Sequence, residues 1–227
     1  MKKHLDKLLE KLCLHSLDLY ENLVTLTDTS QNKDIFYLSF KKLMIMFEGI
    51  RHVVYDDKTG KSYDIKNPVG NPTIGIGCNL RFYGKLLPQI IGRKNEPRLL
   101  DLILHKKYRL SDDEINLLFI FCMNESLTRL NSIYGRDKIL KLPSLITIVL
   151  LSLSFNSGRK FITNASTLIN GINIYKIVNQ YFNNLDLNSL VKKTISILLS
   201  IKHPKNLPGL TYRRNMEAAI ISLYLKN

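Results

Sequence analysis

The sequence predicts an α+β fold that is mostly helical and carries one small antiparallel sheet. Apolar residues recur with helical spacing in the first 50 residues, and again from about residue 110 to the end. Between residues 53 and 77 the pattern changes to short β-like runs separated by turn residues. The chain has 227 residues, 45% of them hydrophobic, which suits one packed domain or one domain with an appendage.

The first half of the chain supplies two predicted helices before the sheet. Residues 4–26 are expected to form one amphipathic helix, because leucines recur near helical spacing. The polar residues 27–34 interrupt the pattern. The next helix is expected to end at Glu48, because glycine follows it and glycine just past a helix is a stop signal. Its apolar stripe, at i, i+3, i+4 and i+7, consists of Phe40, Leu43, Met44 and Phe47.

The predicted sheet has two or three antiparallel strands. Residues 53–55, 62–65 and 73–77 have strand character, with turn-rich segments between them. Residues 81–109 are expected to form loops with short helical pieces, because Gly and Pro recur there.

The remainder is predicted to be helical. Ser111 and Glu114 form a capping box, which predicts a helix reaching Tyr134. A very apolar helix is expected over residues 146–155, and further helices near 175–183, 187–201 and 211–225.

Composition narrows the class of protein. The net charge of +14 favours polyanionic partners, either nucleic acid or an anionic bacterial envelope, although a basic surface that is merely solvated explains it equally well. Three cysteines without a CxxC exclude a disulfide scaffold, and five histidines without HxxxH disfavour a zinc amidase. Charged residues interrupt every apolar run near the start, so neither a signal peptide nor a transmembrane segment is expected.

The most informative constellation consists of Glu48, Asp57 and Thr73. A glycosidase needs a protonated carboxylic acid beside the leaving oxygen and a second polar group across the sugar ring. Partial burial of Glu48 at a helix end would keep it protonated, whereas Asp57 in an exposed turn would stay ionised. Solvated surface carboxylates explain such a pair equally well, because the chain has 19 acidic residues.

Four blocks, in order along the chain, resemble the phage-type lysozyme family (muramidases, including endolysins). They cover about residues 40–225. The blocks are FEGIR at 47–51 followed by YDD at 55–57, PTIGIG at 72–77, SLSFNSG at 152–158, and G-L-x-x-R-R-x-x-E at 209–217.

The resemblance implies a two-lobed lysozyme-like fold with a small sheet lobe and a larger helical lobe. Residues 1–39 would be an N-terminal helical extension and 40–227 the catalytic domain, divided into 40–109 and 110–227.

The resemblance also implies hydrolysis of the β-1,4 bond between N-acetylmuramic acid and N-acetylglucosamine, with inversion and without a metal or cofactor. Glu48 would be the general acid, and Asp57 and Thr73 would position water. Tyr55 and Asn156 are expected to contact substrate, although Asn156 is explained equally well as a capping or core-edge amide. Arg213 and Arg214 are explained at least as well by ion pairs between helices.

Other functions remain open at this stage. A lytic transglycosylase would use the same acid, and a non-enzymatic protein that binds polyanions could be built on a lysozyme scaffold. The expected partners of the enzyme are peptidoglycan and the anionic envelope rather than nucleic acid, and a monomer is expected. A bacteriolytic protein without a signal peptide would reach the wall by holin release, in a virion or by injection.

The chain also departs from the family. Residues 58–72 and 81–109 are longer than in its compact members. Cys78 and Cys122 fall where the family carries a His and an Asp, so the resemblance implies that the two sulfurs lie close together. They would form either a disulfide or a small apolar contact.

Overall fold

The structure is a computed structural model and describes residues 2–28, 33–163, 173–201 and 208–225. Its backbone contacts divide the chain into two compact units. The helical unit consists of Met1–Leu43 with Ser126–Asn227, and the sheet unit consists of Met44–Glu125. These units differ from the predicted divisions at 39/40 and 109/110, because the N-terminal residues pack with the C-terminal half of the chain.

The single helix expected over residues 4–26 is wrong. The chain instead forms α1 (Lys2–His15) and α2 (Leu17–Asp28). Ser16 separates them, and its Oγ accepts a hydrogen bond from the backbone N–H of Leu19 at 3.3 Å, as an N-cap residue does. Residues 29–32 of the expected polar link lie outside the described residues.

Helix α3 (Lys33–Glu48) ends where the sequence predicted. Gly49 follows it with φ +69°, a conformation that costs glycine little and other residues more. The helix therefore delivers Glu48 to the start of the sheet unit as its last helical residue.

The sheet has three antiparallel strands in the order β1 (Arg51–Asp56), β2 (Pro72–Gly75) and β3 (Cys78–Asn79). The strand expected over residues 62–65 is wrong, since only an isolated bridge joins Tyr55 to Ser62 there. The strand expected over 73–77 stops at Gly75, because Gly75 and Gly77 adopt φ +67° and +71° and turn the chain into β3.

The segment after the sheet is a series of short helices, as its glycines and prolines predicted. They are α4 (Leu80–Tyr83), a 3-10 turn (Gly84–Leu86), α5 (Leu87–Ile90) and α6 (Leu99–Leu104). Helix α7 (Asp112–Tyr134) begins with the predicted capping box. The Ser111 N–H donates to Glu114 Oε2 at 2.8 Å, and the Glu114 N–H donates to Ser111 Oγ at 3.2 Å.

The helical unit is built from long helices around an apolar core, and α1 and α2 are part of it. After the short α8 (Arg136–Lys141) come α9 (Ser144–Thr163), α10 (Ile174–Asn184), α11 (Leu187–Ser200) and α12 (Pro208–Ile221). Helix α1 packs along α12, and α2 packs against α9. Leu12 and Leu23 are completely buried, so the N-terminal helices contribute to the core of this unit.

Within the described residues, every helix is too short or too polar to cross a membrane.

Candidate active site

Glu48 is half-buried at the end of α3 and lies directly against the turn between β2 and β3. A β-carbon placed on Gly77 would lie 2.9 Å from Glu48 Cγ, 3.0 Å from its Cδ and 3.2 Å from its Oε2. Contacts that short would force the Glu48 side chain to shift, so the carboxyl group can occupy this position because residue 77 is glycine. The end of α3 thus packs closely against the turn between β2 and β3, with the carboxyl group of Glu48 at the point of contact.

Tyr55 lies within electrostatic range of both candidate carboxylates. Burial raises the pKa of its phenol above the usual range, and the negative charge of Glu48 raises it further, while Arg51 lowers it and Asp57 adds a smaller increase. The Arg51 guanidinium carbon lies 5.6 Å from the centre of the Tyr55 ring. The phenol therefore keeps its proton at neutral pH and remains a hydrogen-bond donor close to Glu48 and Asp57.

Asp57 is exposed in the turn after β1, and Asn71 holds both of its carboxylate oxygens. Asn71 donates its backbone N–H to Asp57 Oδ1 at 2.7 Å and its side-chain amide to Oδ2 at 2.9 Å. The backbone N–H of Asp57 also donates a hydrogen bond to the Asn71 carbonyl at 3.1 Å, so the two residues are joined by three hydrogen bonds. The long loop between the strands thus returns to fix the orientation of this carboxylate.

Its neighbour Asp56 has the opposite environment, with only 4% of its surface exposed. Its Oδ1 accepts the backbone N–H groups of Lys58 and Thr59, and its Oδ2 accepts those of Val69 and Gly70, at 2.6 to 3.2 Å. The bond from Gly70 lowers the pKa of Asp56 most, followed by those from the turn, although burial opposes them. Asp56 therefore holds both ends of the loop that positions Asp57.

Thr73 is almost fully buried, with 3% exposed, in the middle of the sheet. It pairs with Tyr55 across β1 and with Asn79 across β3, so the three side chains share one face of the sheet. Its Oγ1 donates to the Asn71 carbonyl at 3.3 Å. Thr73 thus shares Asn71 as a hydrogen-bond partner with Asp57. It also lies opposite Tyr55, whose phenol is within electrostatic range of Glu48.

Cys78 and Cys122 lie side by side as free thiols, both buried. A hydrogen bond between the two sulfur groups and then burial raise the pKa of Cys78 well above its usual value. The contact joins β3 to α7 within the sheet unit, so the two positions lie next to each other, as the resemblance implied.

The other residues singled out in the sequence belong to the helical unit. Glu217 is fully buried and accepts hydrogen bonds from Ser152 Oγ at 2.5 Å, from Arg214 Nη1 at 2.6 Å and from Arg213 Nε at 3.4 Å. Arg214 Nη2 also donates to the Oδ1 of the exposed Asn156 at 2.9 Å. The arginine pair thus forms a buried ion cluster between α9 and α12. The side chains of residues 157 and 158 lie outside the described residues.

Sequence reasoning did not single out the residues that hold the candidate site together. Asn71 and Gly77 fell in segments predicted only as a turn and a strand, and Asp56 was treated as part of a turn. An Asp followed by turn residues commonly accepts backbone N–H groups two and three positions on, which is the signal that identifies Asp56. No comparable local signal identifies Asn71, because its partner lies 14 residues away.

Among the described residues, no three His, Cys, Asp or Glu side chains are grouped in a way that could hold a metal ion. Comparison with known proteins yields no matching family model, no matching curated protein and no matching solved structure. The similarity to phage-type lysozymes therefore rests on the four sequence blocks, and the arguments about function rest on the site itself.

Proposed function

We propose that this protein is a muramidase that hydrolyses the β-1,4 bond between N-acetylmuramic acid and N-acetylglucosamine in peptidoglycan. The observation that carries the proposal is the placement of Glu48, whose carboxyl group lies against Gly77. The negative charges of Glu48 and Asp57 both raise the pKa of Tyr55, so the two carboxyl groups act on the same phenol. Two carboxyl groups in unlike environments around one buried phenol suit acid and base roles in glycoside hydrolysis.

In the proposed reaction, Glu48 donates its proton to the leaving glycosidic oxygen. Asp57 then acts on the water that attacks the opposite face of the sugar, or stabilises the positive charge that develops there. Each Asp57 oxygen already accepts one bond from Asn71 and retains a second lone pair for that water. An inverting mechanism requires the two carboxyl groups to be roughly 6.5–9.5 Å apart.

Thr73 and Tyr55 would orient the reactants. Thr73 donates its hydroxyl proton to Asn71, which leaves its oxygen lone pairs to accept a hydrogen bond from water. The protonated phenol of Tyr55 is available to donate to a sugar oxygen or to Glu48. The chain contains no Trp, so the aromatic contact with a sugar would also come from Tyr or Phe.

The finer assignments belong to the same proposal. They are a two-lobed lysozyme-like fold, a monomeric enzyme that needs no cofactor, and delivery to the wall by holin release, a virion or injection. The net charge of +14 supports attraction to an anionic envelope, because a field of that sign raises the local concentration of polyanions.

A zymogram and a soluble assay on purified peptidoglycan test the proposal. Wild type is expected to clear the polymer and release new reducing ends, and Glu48→Gln is expected to do neither. A chain that binds the polymer in a salt-dependent way without releasing reducing ends would instead be the non-enzymatic polyanion binder.

Lytic transglycosylation is the second candidate, and one observation favours it. Both Asp57 oxygens are engaged by Asn71, an arrangement that also suits a residue with a purely structural role. Mass spectrometry of the released muropeptides separates the two reactions. Hydrolysis gives reducing muramic acid ends, whereas transglycosylation gives 1,6-anhydro ends.

A further inference from the structure

The positive charge of the chain is concentrated in its C-terminal part. Residues 126–227 contain 14 Lys and Arg residues but only three acidic residues, which gives a net charge of +11 out of the total of +14. The sheet unit, residues 44–125, contains 12 basic and 10 acidic residues. The charges of the sheet unit therefore nearly balance, and attraction to polyanions comes mainly from the C-terminal part of the helical unit.

The two units also differ in the partners of their basic side chains. In the sheet unit, Arg93 contacts the carboxylates of Glu96 at 2.7 Å and Glu114 at 2.6 Å. In the helical unit, Lys138 on α8 and Lys193 on α11 instead donate hydrogen bonds to side-chain amides of α10. An amide is neutral, so these bonds orient the two ammonium groups without cancelling their charge.

Helix α10 brings the two lysines to one surface. Lys138 Nζ donates to Asn179 Oδ1 at 2.9 Å, and Lys193 Nζ donates to Gln180 Oε1 at 3.2 Å. Because Asn179 and Gln180 are consecutive, both ammonium groups lie next to the same turn of α10. Lys138 Nζ also lies 5.5 Å from the centre of the Phe182 ring, within the range of a cation–π contact.

Further basic residues are exposed on the same three helices. The basic surface, as we call it, consists of Arg136, Lys138 and Lys141 on α8, Lys176 on α10, and Lys192 and Lys193 on α11. Of the three acids in residues 126–227, Glu217 is buried in the arginine cluster. The other two are Asp137 on α8 and Asp186, whose Oδ1 caps α11 by accepting the N–H of Ser189 at 2.9 Å. The basic surface therefore carries six positive charges against two negative ones.

The side chains around the lysines indicate the chemistry of a partner. Lysine ammonium groups bind phosphate as point charges. The amides of Gln180, Asn183 and Asn184 are exposed on α10 and suit hydroxyl and phosphate oxygens. A lipid bilayer fits less well, because amides are costly to place in an apolar layer.

The aromatic rings beside the lysines are already engaged. The Tyr175 ring stacks on that of Tyr134, with 5.6 Å between centres and 26° between planes, and Phe182 is in contact with Lys138. Proteins that bind single-stranded nucleic acids stack the bases on open aromatic faces. A polymer that offers phosphates and hydroxyls without bases therefore matches the basic surface better than a nucleic acid does.

We propose that the basic surface binds a polyol whose units are joined by phosphodiesters, an anionic polymer of the kind that bacterial envelopes carry outside the membrane. Such a polymer repeats a phosphate along a flexible chain, so several lysines can bind it at once. The role is separate from catalysis and does not depend on the muramidase function, because binding requires no turnover.

Poly(glycerol phosphate) with a fluorescent end label is the probe, titrated with the full-length protein. Wild type is expected to bind it at about 50 mM salt and about tenfold more weakly at about 200 mM salt, because contacts to phosphates release counterions. Absence of binding at the lower salt concentration, or binding that does not depend on salt, would overturn the proposal.

Two triple variants with the same net charge locate the binding surface. Replacing Lys138, Lys176 and Lys193 by Gln is expected to weaken binding about tenfold, the combined effect of three exposed charge pairs. The matched control replaces three exposed lysines of the sheet unit by Gln and is expected to bind like wild type; they are Lys85, Lys94 and Lys107. Both variants change only surface residues, so their thermal midpoints should stay near that of wild type. Equal losses in the two variants would show that affinity follows net charge alone and would overturn the proposal.

Competition identifies the class of partner. Unlabelled poly(glycerol phosphate), vesicles of phosphatidylcholine and phosphatidylglycerol, and oligodeoxythymidylate are compared at equal concentrations of accessible phosphate. The unlabelled polymer is expected to displace the probe most effectively. Equal or stronger displacement by the vesicles would assign the surface to a bilayer, and by the oligonucleotide to nucleic acid, and either result would overturn the proposal.

Discussion

Two glutamates show how differently the two units surround a carboxyl group. Glu217, in the helical unit, has none of its surface exposed and is held by two guanidinium groups and a serine hydroxyl. Glu48, in the sheet unit, is half-buried against a glycine and lies near the phenol of Tyr55. The first environment fixes the geometry of the carboxylate through buried ion pairs and hydrogen bonds, whereas the second leaves the carboxyl group partly exposed to solvent.

The comparison explains what the sequence blocks encode. The closing block, G-L-x-x-R-R-x-x-E, supplies the cluster that holds α12 to α9, and its acid is structural. The block at residues 47–51 supplies the acid to which we assign the chemistry. A shared pattern therefore does not separate structural residues from reactive ones, and burial with fixed ionic partners is the property that does.

The largest expected effect is on turnover. Glu48→Gln should lower peptidoglycan hydrolysis by on the order of 10²–10⁴-fold or more, because the general acid is lost, while the thermal midpoint stays near that of wild type or rises. Glu96→Gln is the matched control, since Glu96 pairs with Arg93 on the surface at 2.7 Å and should change neither quantity appreciably. If Glu48→Gln kept more than about a tenth of wild-type turnover, Glu48 would not be the acid.

Glu217→Gln should give the reverse pattern. Removing the charge leaves two buried guanidinium groups without their anion, and breaking a buried pair in this way typically costs about 3–5 kcal/mol of unfolding free energy. Chemical denaturation measures this loss. Turnover per folded molecule should stay close to wild type, and a specific loss of turnover with normal stability would contradict the division between the two glutamates.

The thiol pair in the sheet unit should respond to oxidation. Treatment with diamide, which removes two hydrogens from two thiols, should convert Cys78 and Cys122 to a disulfide and leave Cys13 as one free thiol. The bridge should raise the unfolding free energy by about 2–4 kcal/mol. Thiol counts in denaturant, before and after diamide, test the bond, and Cys78→Ala is the control. Loss of Cys13 instead of the pair would show that the two sulfurs are not adjacent.

Asp56 provides a comparison that depends on pH. Asp56→Asn should lower the thermal midpoint at pH 7, because the loop loses a charged acceptor for four backbone N–H groups. The folded state lowers the pKa of Asp56, so its contribution is present above the unfolded value, about 3.9, and is lost as the pH falls. The difference between wild type and variant should therefore shrink near pH 3. The exposed Asp101→Asn is the control, and a difference that does not depend on pH would exclude ionisation as the cause.

The smallest effect should come from the helical unit. The Tyr134 hydroxyl is buried without a hydrogen-bond partner among the described residues, so Tyr134→Phe should be neutral or stabilise by about 1 kcal/mol. Burial raises the pKa of Tyr134, so wild type should lose stability as the pH rises above about 10, where the unfolded phenol ionises. Tyr134→Phe should lose less over that range. A clear destabilisation at pH 7 would mean that the hydroxyl has a role that the packing does not reveal.

The sequence predicted best those features that a few adjacent residues determine. Ser111 and Glu114 bond to each other within one turn, so their pattern alone predicts the start of α7. Gly49 and Gly135 end helices by adopting positive φ angles, which again requires only the local chain. The β-like composition of residues 53–55 likewise predicted β1, whose last three residues are buried.

Features that depend on distant contacts escaped prediction. Leucine spacing continues through residues 5–26, so nothing in the apolar pattern marks the break that Ser16 introduces by capping α2. Residues 62–65 have strand composition, but they lie in the loop that Asp56 organises from 13 and 14 residues away. The candidate site divides in the same way. The sequence was enough to single out Glu48, Asp57 and Thr73 as candidate site residues. Asn71, which orients Asp57, is identified only by the fold.

The close approach of Glu48 to Gly77 has a consequence for how this chain can vary. A methyl group at position 77 would come within 3.2 Å of three atoms of the Glu48 side chain, so the acid would have to move, although 29 positions separate the two residues. The backbone at Gly77 also has φ +71°, which strains any residue with a side chain. A substitution in this turn would therefore displace the carboxyl group of Glu48 without altering Glu48 itself.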